Sequence, residues 1–214
     1  MSDLKADVWV LAETHDSLTP GEGYDGFQSD QRLPASAQVV LGSRWVTIWV
    51  RKTLESIERQ VTNSSRTVAC EIQTTQGPLI VFGTVMPWYG DIVDVSYSDE
   101  VAVQSKDWAT LRVNHGAHLC VAGDFNVNIG GNHYYGKKRN REQLELAMKR
   151  NGLKVLTNYE STKAIKPDFG IIDHVAVSEE IGTRRGHPTL IEKRNQYDEP
   201  LSDHVGVVVK LDLE

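Results

Sequence analysis

The chain has 214 residues, 40% of them hydrophobic and 24% charged, which is enough to bury one core and predicts a single domain over residues 1–214. No apolar stretch approaches bilayer length and MSDLKADVWV carries no secretory signal, so the expectation is a cytoplasmic protein without a membrane partner. A net charge of −6 argues against gripping nucleic acid by bulk electrostatics, although a nuclease with local basic patches stays compatible with it.

In chain order, residues 7–12 (DVWVLA) form a nearly continuous apolar run, as expected of a strand buried on both faces. Pro20, Gly21, Gly23 and Gly26 predict a loop over 17–26. Strands are then predicted at 37–43, 46–52, 67–74 and 79–86, the last two as a hairpin turning through Gln76-Gly77-Pro78. A helix is predicted from Ser98, as N-cap, to Asn114, with Val101, Gln104, Trp108 and Leu111 at helical spacing. HLCVAG returns to a strand ending at Gly123. A second helix over 140–151 turns Leu144, Ala147 and Met148 inward and stops at Gly152. Further strands are expected at 153–157, 171–177 and 204–211. Cys70 and Cys120 each lie in an apolar strand-like run and read as buried, reduced thiols. Strands arranged around two helices point to layered α/β or α+β packing.

Four short acidic clusters carry the chemistry: Glu13 in VWVLAET, Asp124 and Asn126 in VAGDFNV, Asp173-His174 in IIDHVAVS, and Asp203-His204 in LSDHVGVVV. Each closes or opens an apolar run, where a sheet presents side chains to a shared cleft. Carboxylates, an amide and a histidine gathered there suit a divalent cation and a phosphate. In an extended segment Asp124 and Asn126 point the same way, but an Asx-turn closing the strand accounts for them equally well. For Glu13 alone, a salt bridge is the simpler explanation. In each Asp-His pair only one member need face the cleft. The useful combination is therefore across pairs, Asp173 orienting His204 while Asp203 serves metal or water and His174 is structural. No C-x-x-C, H-E-x-x-H, G-x-S-x-G or P-loop motif is present, which argues against zinc, a serine nucleophile or a nucleotide cradle.

After GDFN comes NIGGNHYYGKKRNR, residues 128–141. Lys137, Lys138, Arg139 and Arg141 supply positive charge, and His133, Tyr134 and Tyr135 are rings on which bases could stack. An exposed basic loop capping a helix would look the same.

The E-T ending of the first strand, GDFN, I-D-H and S-D-H, in this order, resemble the endonuclease/exonuclease/phosphatase superfamily of apurinic endonucleases and pancreatic-type deoxyribonucleases. The resemblance implies an α+β fold, a four-layered α/β/β/α sandwich with two mixed sheets face to face. It further implies metal-dependent hydrolysis of phosphoester bonds; the oxygen donors suit Mg²⁺, or Mn²⁺ in its place, residues 133–141 favour nucleic acid as substrate, and no obligate protein partner is expected. By the same resemblance Glu13 and Asp203 are metal ligands, Asp124 activates water, Asn126 contacts phosphate, and Asp173 orients His204 toward the scissile phosphate. The family's first strand, with an asparagine near the metal, is not seen among the twelve residues before Glu13, and the first asparagine is Asn63; either the chain starts late or that strand has been lost. Where the family carries a tyrosine or histidine before a proline turn, this chain has Thr84 and Met86 before Pro87, then Trp88 and Tyr89. Two alternatives stand beside a nuclease: a hydrolase of small or lipid phosphoesters, and a catalytically weakened binding module.

Overall fold

The computed structural model describes residues 4–32, 39–88, 96–132, 135–164, 171–183, 188–191, 197–199 and 202–213. Six strands build a mixed sheet in the order β4 (Ser56–Arg59), β5 (Thr67–Thr74), β6 (Gly77–Val85), β7 (His118–Asp124), β9 (Asp173–Ser178), β8 (Leu153–Val155). Only β6 and β7 run parallel, because α1 (Tyr97–His115) carries the chain across between them. A smaller antiparallel sheet has the order β1 (Val8–His15), β3 (Ser43–Arg51), β2 (Tyr24–Gln28).

The two-residue period of the strands sorts the core into two halves. Ile80 and Phe82 of β6 and Leu119 and Val121 of β7 face Trp108 and Leu111 of α1 and Leu144 and Met148 of α2 (Lys138–Arg150). The intervening Leu79, Val81 and Cys120, with Val68, Cys70 and Ile72 of β5, meet Val46, Ile48 and Val50 of β3. Every one of these side chains is at least nine-tenths buried. Gly83 sits in this second face, where a Cβ would lie 2.8 Å from Val46 and 3.2 Å from Ile48, so the missing side chain lets the sheets close. Burial in this layer pushes both Cys70 and Cys120 up to about 12, which keeps them thiols, as expected.

The sandwich is thus the predicted α+β one, with helices over one face of the large sheet and the small sheet over the other. Among the described residues the small sheet is antiparallel rather than mixed, and no helix covers its outer face. Several elements differ from their predicted course. β2 occupies part of the predicted loop, because Gly26 serves the strand, not a turn: a Cβ there would lie 2.6 Å from the Trp49 ring. Where a strand was expected at 37–43, residues 37–38 lie outside the described set, and Val40 and Leu41 are exposed in a turn approach rather than paired. The β5–β6 hairpin turns at Thr75-Gln76, with Pro78 already inside the ladder opposite Gln73. Helix α1 opens at Ser96, and Ser98 instead donates to Gln143 on α2 at 2.6 Å. The last predicted strand divides into β12 (Gly206–Val208), paired with β11 (Thr189–Ile191), and β13 (Leu211–Asp212), paired with β10 (Gly182–Thr183).

Candidate active site

Strand β7 ends at Asp124 and antiparallel β9 begins at Asp173, and their register sets these two residues opposite each other. Gly123 makes that position reachable. Its φ is 141°, and a Cβ would fall 1.9 Å from the Thr84 carbonyl on β6, so no side chain fits without moving backbone. Past the strand, Asp124 Oδ1 accepts the Asn126 N–H at 2.8 Å. Asn126, at φ 50°, turns its amide back to donate to Asp124 Oδ2 at 3.0 Å and to the Met86 carbonyl at 2.8 Å. GDFN is therefore an Asx-turn and a gathering of polar groups at once.

His204 lies in the bend before β12, its Nδ1 2.8 Å from Asp173 Oδ2. One ligand atom from each of Asp124, Asp173 and His204 falls within 4.8 Å of the others. Two carboxylates so close oppose each other's ionisation. Burial first, and then the Asp173 charge, push Asp124 up to about 7. The hydrogen bond to Asp173 lifts His204 to about 9, so near neutrality it is an imidazolium. Its Nδ1 then donates to Asp173, and its Nε2 carries a second proton.

Glu13 and Asp203 lie outside this group of three. Glu13 sits in β1 at φ 50°, its carboxylate exposed and 3.9 Å from Arg32 Nη1. It is still near enough that its charge contributes to raising Asp124. Asp203 is exposed beside His204. Two cations gather on the neighbouring Trp45 ring, Arg32 at 3.6 Å and the buried Arg66 at 4.5 Å from its centroid. His174, as expected, is a structural residue. It is buried between Thr157 and the Val127 carbonyl, and burial pushes it down to about 4.

Of the basic-aromatic loop, His133 and Tyr134 lie outside the described residues. Tyr135 is half-exposed, and its N–H donates to the buried Asn128 Oδ1 at 2.7 Å. At Gly136 a Cβ would come within 2.9 Å of the Asn126 carbonyl, so the loop folds directly onto the GDFN turn. Lys137 is the N-cap of α2, and Lys138 and Arg139 occupy its first turn, all three exposed. Lys138 pairs at 3.7 Å with Glu142, while Arg141 is held by Glu145 and the Gly131 carbonyl.

The structure gives a place to residues that the sequence left without a role. Pro87, Trp88 and Asn140 join Asn126, Tyr135 and Lys137 around a cleft of about 320 Å³. A tryptophan placed directly after a proline, just past a buried strand, is the signal that could have pointed there.

No helix of the described residues is long and apolar enough to cross a membrane. No family model and no curated protein matches the chain. Solved structures do. The endonuclease domain of TRAS1, a telomere-specific non-LTR retrotransposon, is 16% identical and aligns over 98% of this chain and 87% of its own, with a TM-score of 0.66. The human Nocturnin catalytic domain is 13% identical over 97% and 81%, again at 0.66. The 3'-5' exonuclease NExo from Neisseria meningitidis is 17% identical over 98% and 91%, at 0.61. These likenesses span nearly the whole length of both partners. The chain has the fold of the endonuclease/exonuclease/phosphatase superfamily, as the order of its four clusters predicts.

Proposed function

We propose that this chain is a divalent-metal-dependent phosphoester hydrolase, and specifically a nuclease acting on phosphodiester bonds of DNA or RNA. The observation that carries the reading is the meeting of Asp124, Asp173 and His204 within 4.8 Å at the strand ends, with Asn126 bonded to Asp124. The donor set fits a cation. Asp124 is held up near 7 by burial and by the charges of Asp173 and Glu13, and a positive ion relieves that repulsion. Oxygen donors favour Mg²⁺, with Mn²⁺ next. Glu13 and Asp203, together with the cluster carboxylates, are the residues that would hold it. When bound, it would neutralise charge on the phosphate.

The remaining roles fall to the chain's own groups. Asp124 accepts a proton from the attacking water and positions it for in-line displacement. Asn126, whose amide donates to Asp124 and to the Met86 carbonyl, holds the Asp124 carboxylate in place. The His204 imidazolium, kept charged and oriented by Asp173, donates from Nε2 to an oxygen on which negative charge develops.

Nucleic acid is favoured over small phosphoesters by the start of α2. Three exposed basic residues crowd a helix N-terminus whose first turn has no acidic residue. Positive charge there opposes the helix dipole, so it weakens the helix and suits a polyanion. The neighbours support the same side: the Neisseria enzyme is described as a 3' phosphatase bound to a product DNA hairpin, and the TRAS1 domain as an endonuclease. The test compares the purified chain with Asp124→Asn on labelled single- and double-stranded nucleic acid, with and without Mg²⁺. Metal-dependent cleavage that falls at least about a hundredfold in the variant is expected, the usual scale for losing a general base. Equal activity in both proteins removes the assignment.

A further inference from the structure

We infer that the cleft between Trp88 and Tyr135 is a subsite for one unpaired nucleobase next to the scissile phosphate. The chain would then act on single-stranded or frayed nucleotides rather than on bases held in a duplex. This rests on the phosphodiesterase reading and narrows it.

The cleft is built for a flat, polar-edged ring. Trp88 and Tyr135 are each 49% exposed, so both offer apolar ring surface to solvent. Most of the other large aromatics described are far more deeply placed; Trp108 and Phe82, for example, are fully buried. Trp88 follows Pro87 just past the end of β6, and the Tyr135 N–H is held by Asn128. Aromatic side chains have few rotatable bonds to immobilise when a base stacks on them, and stacking tolerates any base because all have a π-face. Asn140 brings a side-chain amide to the same lining, and Asn126, its N–H groups given to Asp124 and Met86, adds an acceptor oxygen, groups that pair with the edges of bases. Lys137 adds a cation at the same cleft for the backbone phosphate.

Size and position make the inference specific. About 320 Å³ is at the small end of ligand pockets and is enough for a base with its sugar. Asn126 belongs both to this lining and to the hydrogen-bonded turn on Asp124. A nucleotide seated here has its phosphate directed to the carboxylate cluster. A paired base cannot enter without leaving its partner, which gives the strand preference its physical basis.

The test separates base recognition from charge and from catalysis. The catalytically disabled Asp124→Asn chain is titrated into a fluorescein-labelled thymidylate hexamer and into a hexamer of abasic tetrahydrofuran residues with the same phosphates. Anisotropy should show tighter binding of the thymidylate by about tenfold or more, the scale of one good stack. Adding Trp88→Ala should bring the two hexamers to within about twofold, Tyr135→Ala should do likewise, and Trp88→Phe should keep most of the preference. Circular dichroism melts of each variant exclude unfolding as the cause. Equal binding of both hexamers by the parent, or an unaltered preference in Trp88→Ala, overturns the subsite. Cleavage surviving in Asp124→Asn would instead remove the hydrolytic reading and leave the base-binding result to stand alone.

Discussion

His174 and His204 both follow an aspartate in the sequence, yet the fold sends them to opposite fates. His204 meets Asp173 and is raised to about 9, while His174 is sealed among Thr157, Val127 and the Phe125 ring and is lowered to about 4. The second shift has a consequence for stability. Between the unfolded value of 6.5 and the folded value of about 4, the unfolded chain binds a proton at His174 that the folded chain refuses. Stability from this group is therefore full above 6.5 and is lost as pH falls toward 4, by roughly 3 kcal/mol in all. Urea unfolding across that window should show the decline, and His174→Gln should flatten it. A slope identical in the variant would show that other groups cause it. Nothing in the dipeptide Asp-His announces which histidine is buried. Strand alternation narrows the choice, and the partner residues, which lie far away in sequence, decide it.

At the scale of elements, the first turn of α2 sets helix stability against substrate binding. Lys138 and Arg139 oppose the dipole where Asp or Glu would complement it, and the N-cap Lys137 makes no side-chain cap bond. Arg139→Glu should therefore stabilise the chain by about 0.3–1 kcal/mol while weakening its affinity for single-stranded nucleic acid. Thermal melts and anisotropy measure the two effects on one protein. A variant that is more stable and binds equally well would place the polyanion elsewhere. The helices themselves were legible in the sequence, since Leu144, Ala147 and Met148, or Trp108 and Leu111, repeat at helical spacing and do pack inward. Strands were harder. β2 carries a glycine that reads as part of a turn until the Trp49 ring, itself a residue of β3, is seen lying over Gly26. β4 is short and mostly polar, being an edge strand whose outer side meets solvent, so it lacks the apolar run that marks its neighbours. Of the cleft lining, Asn126, Tyr135 and Lys137 were legible from their motifs, whereas Trp88 joins them through the fold at Asn126 and Gly136, not by spacing.

For the molecule as a whole, the site is a product of two sheets meeting at a set distance. Asp124 and Asp173 belong to the large sheet and His204 to the bend before β12, whereas Glu13 stands on β1 of the small sheet. The motifs showed that these residues sit at strand ends, but the distance between the sheets is written in residues that carry no chemistry. Gly83 is the clearest of them. Its absent side chain leaves room for Val46, Ile48 and Val10, and a Cβ would meet them at 2.8, 3.2 and 3.3 Å. Gly83→Ala should cost about 1–3 kcal/mol through overpacking of a core that cannot absorb a methyl group. Because the strain is relieved by parting the sheets, Glu13 should move away from Asp124, and cleavage should fall further than the unfolded fraction explains. Gly23→Ala is the matched control, since a Cβ there meets nothing within 4 Å, and it should leave both properties nearly unchanged. Urea denaturation together with nuclease rates on the folded protein decides the matter. If Gly83→Ala loses stability but keeps full turnover, the small sheet supports the large one without taking part in its chemistry, and Glu13 is not a ligand of the working site.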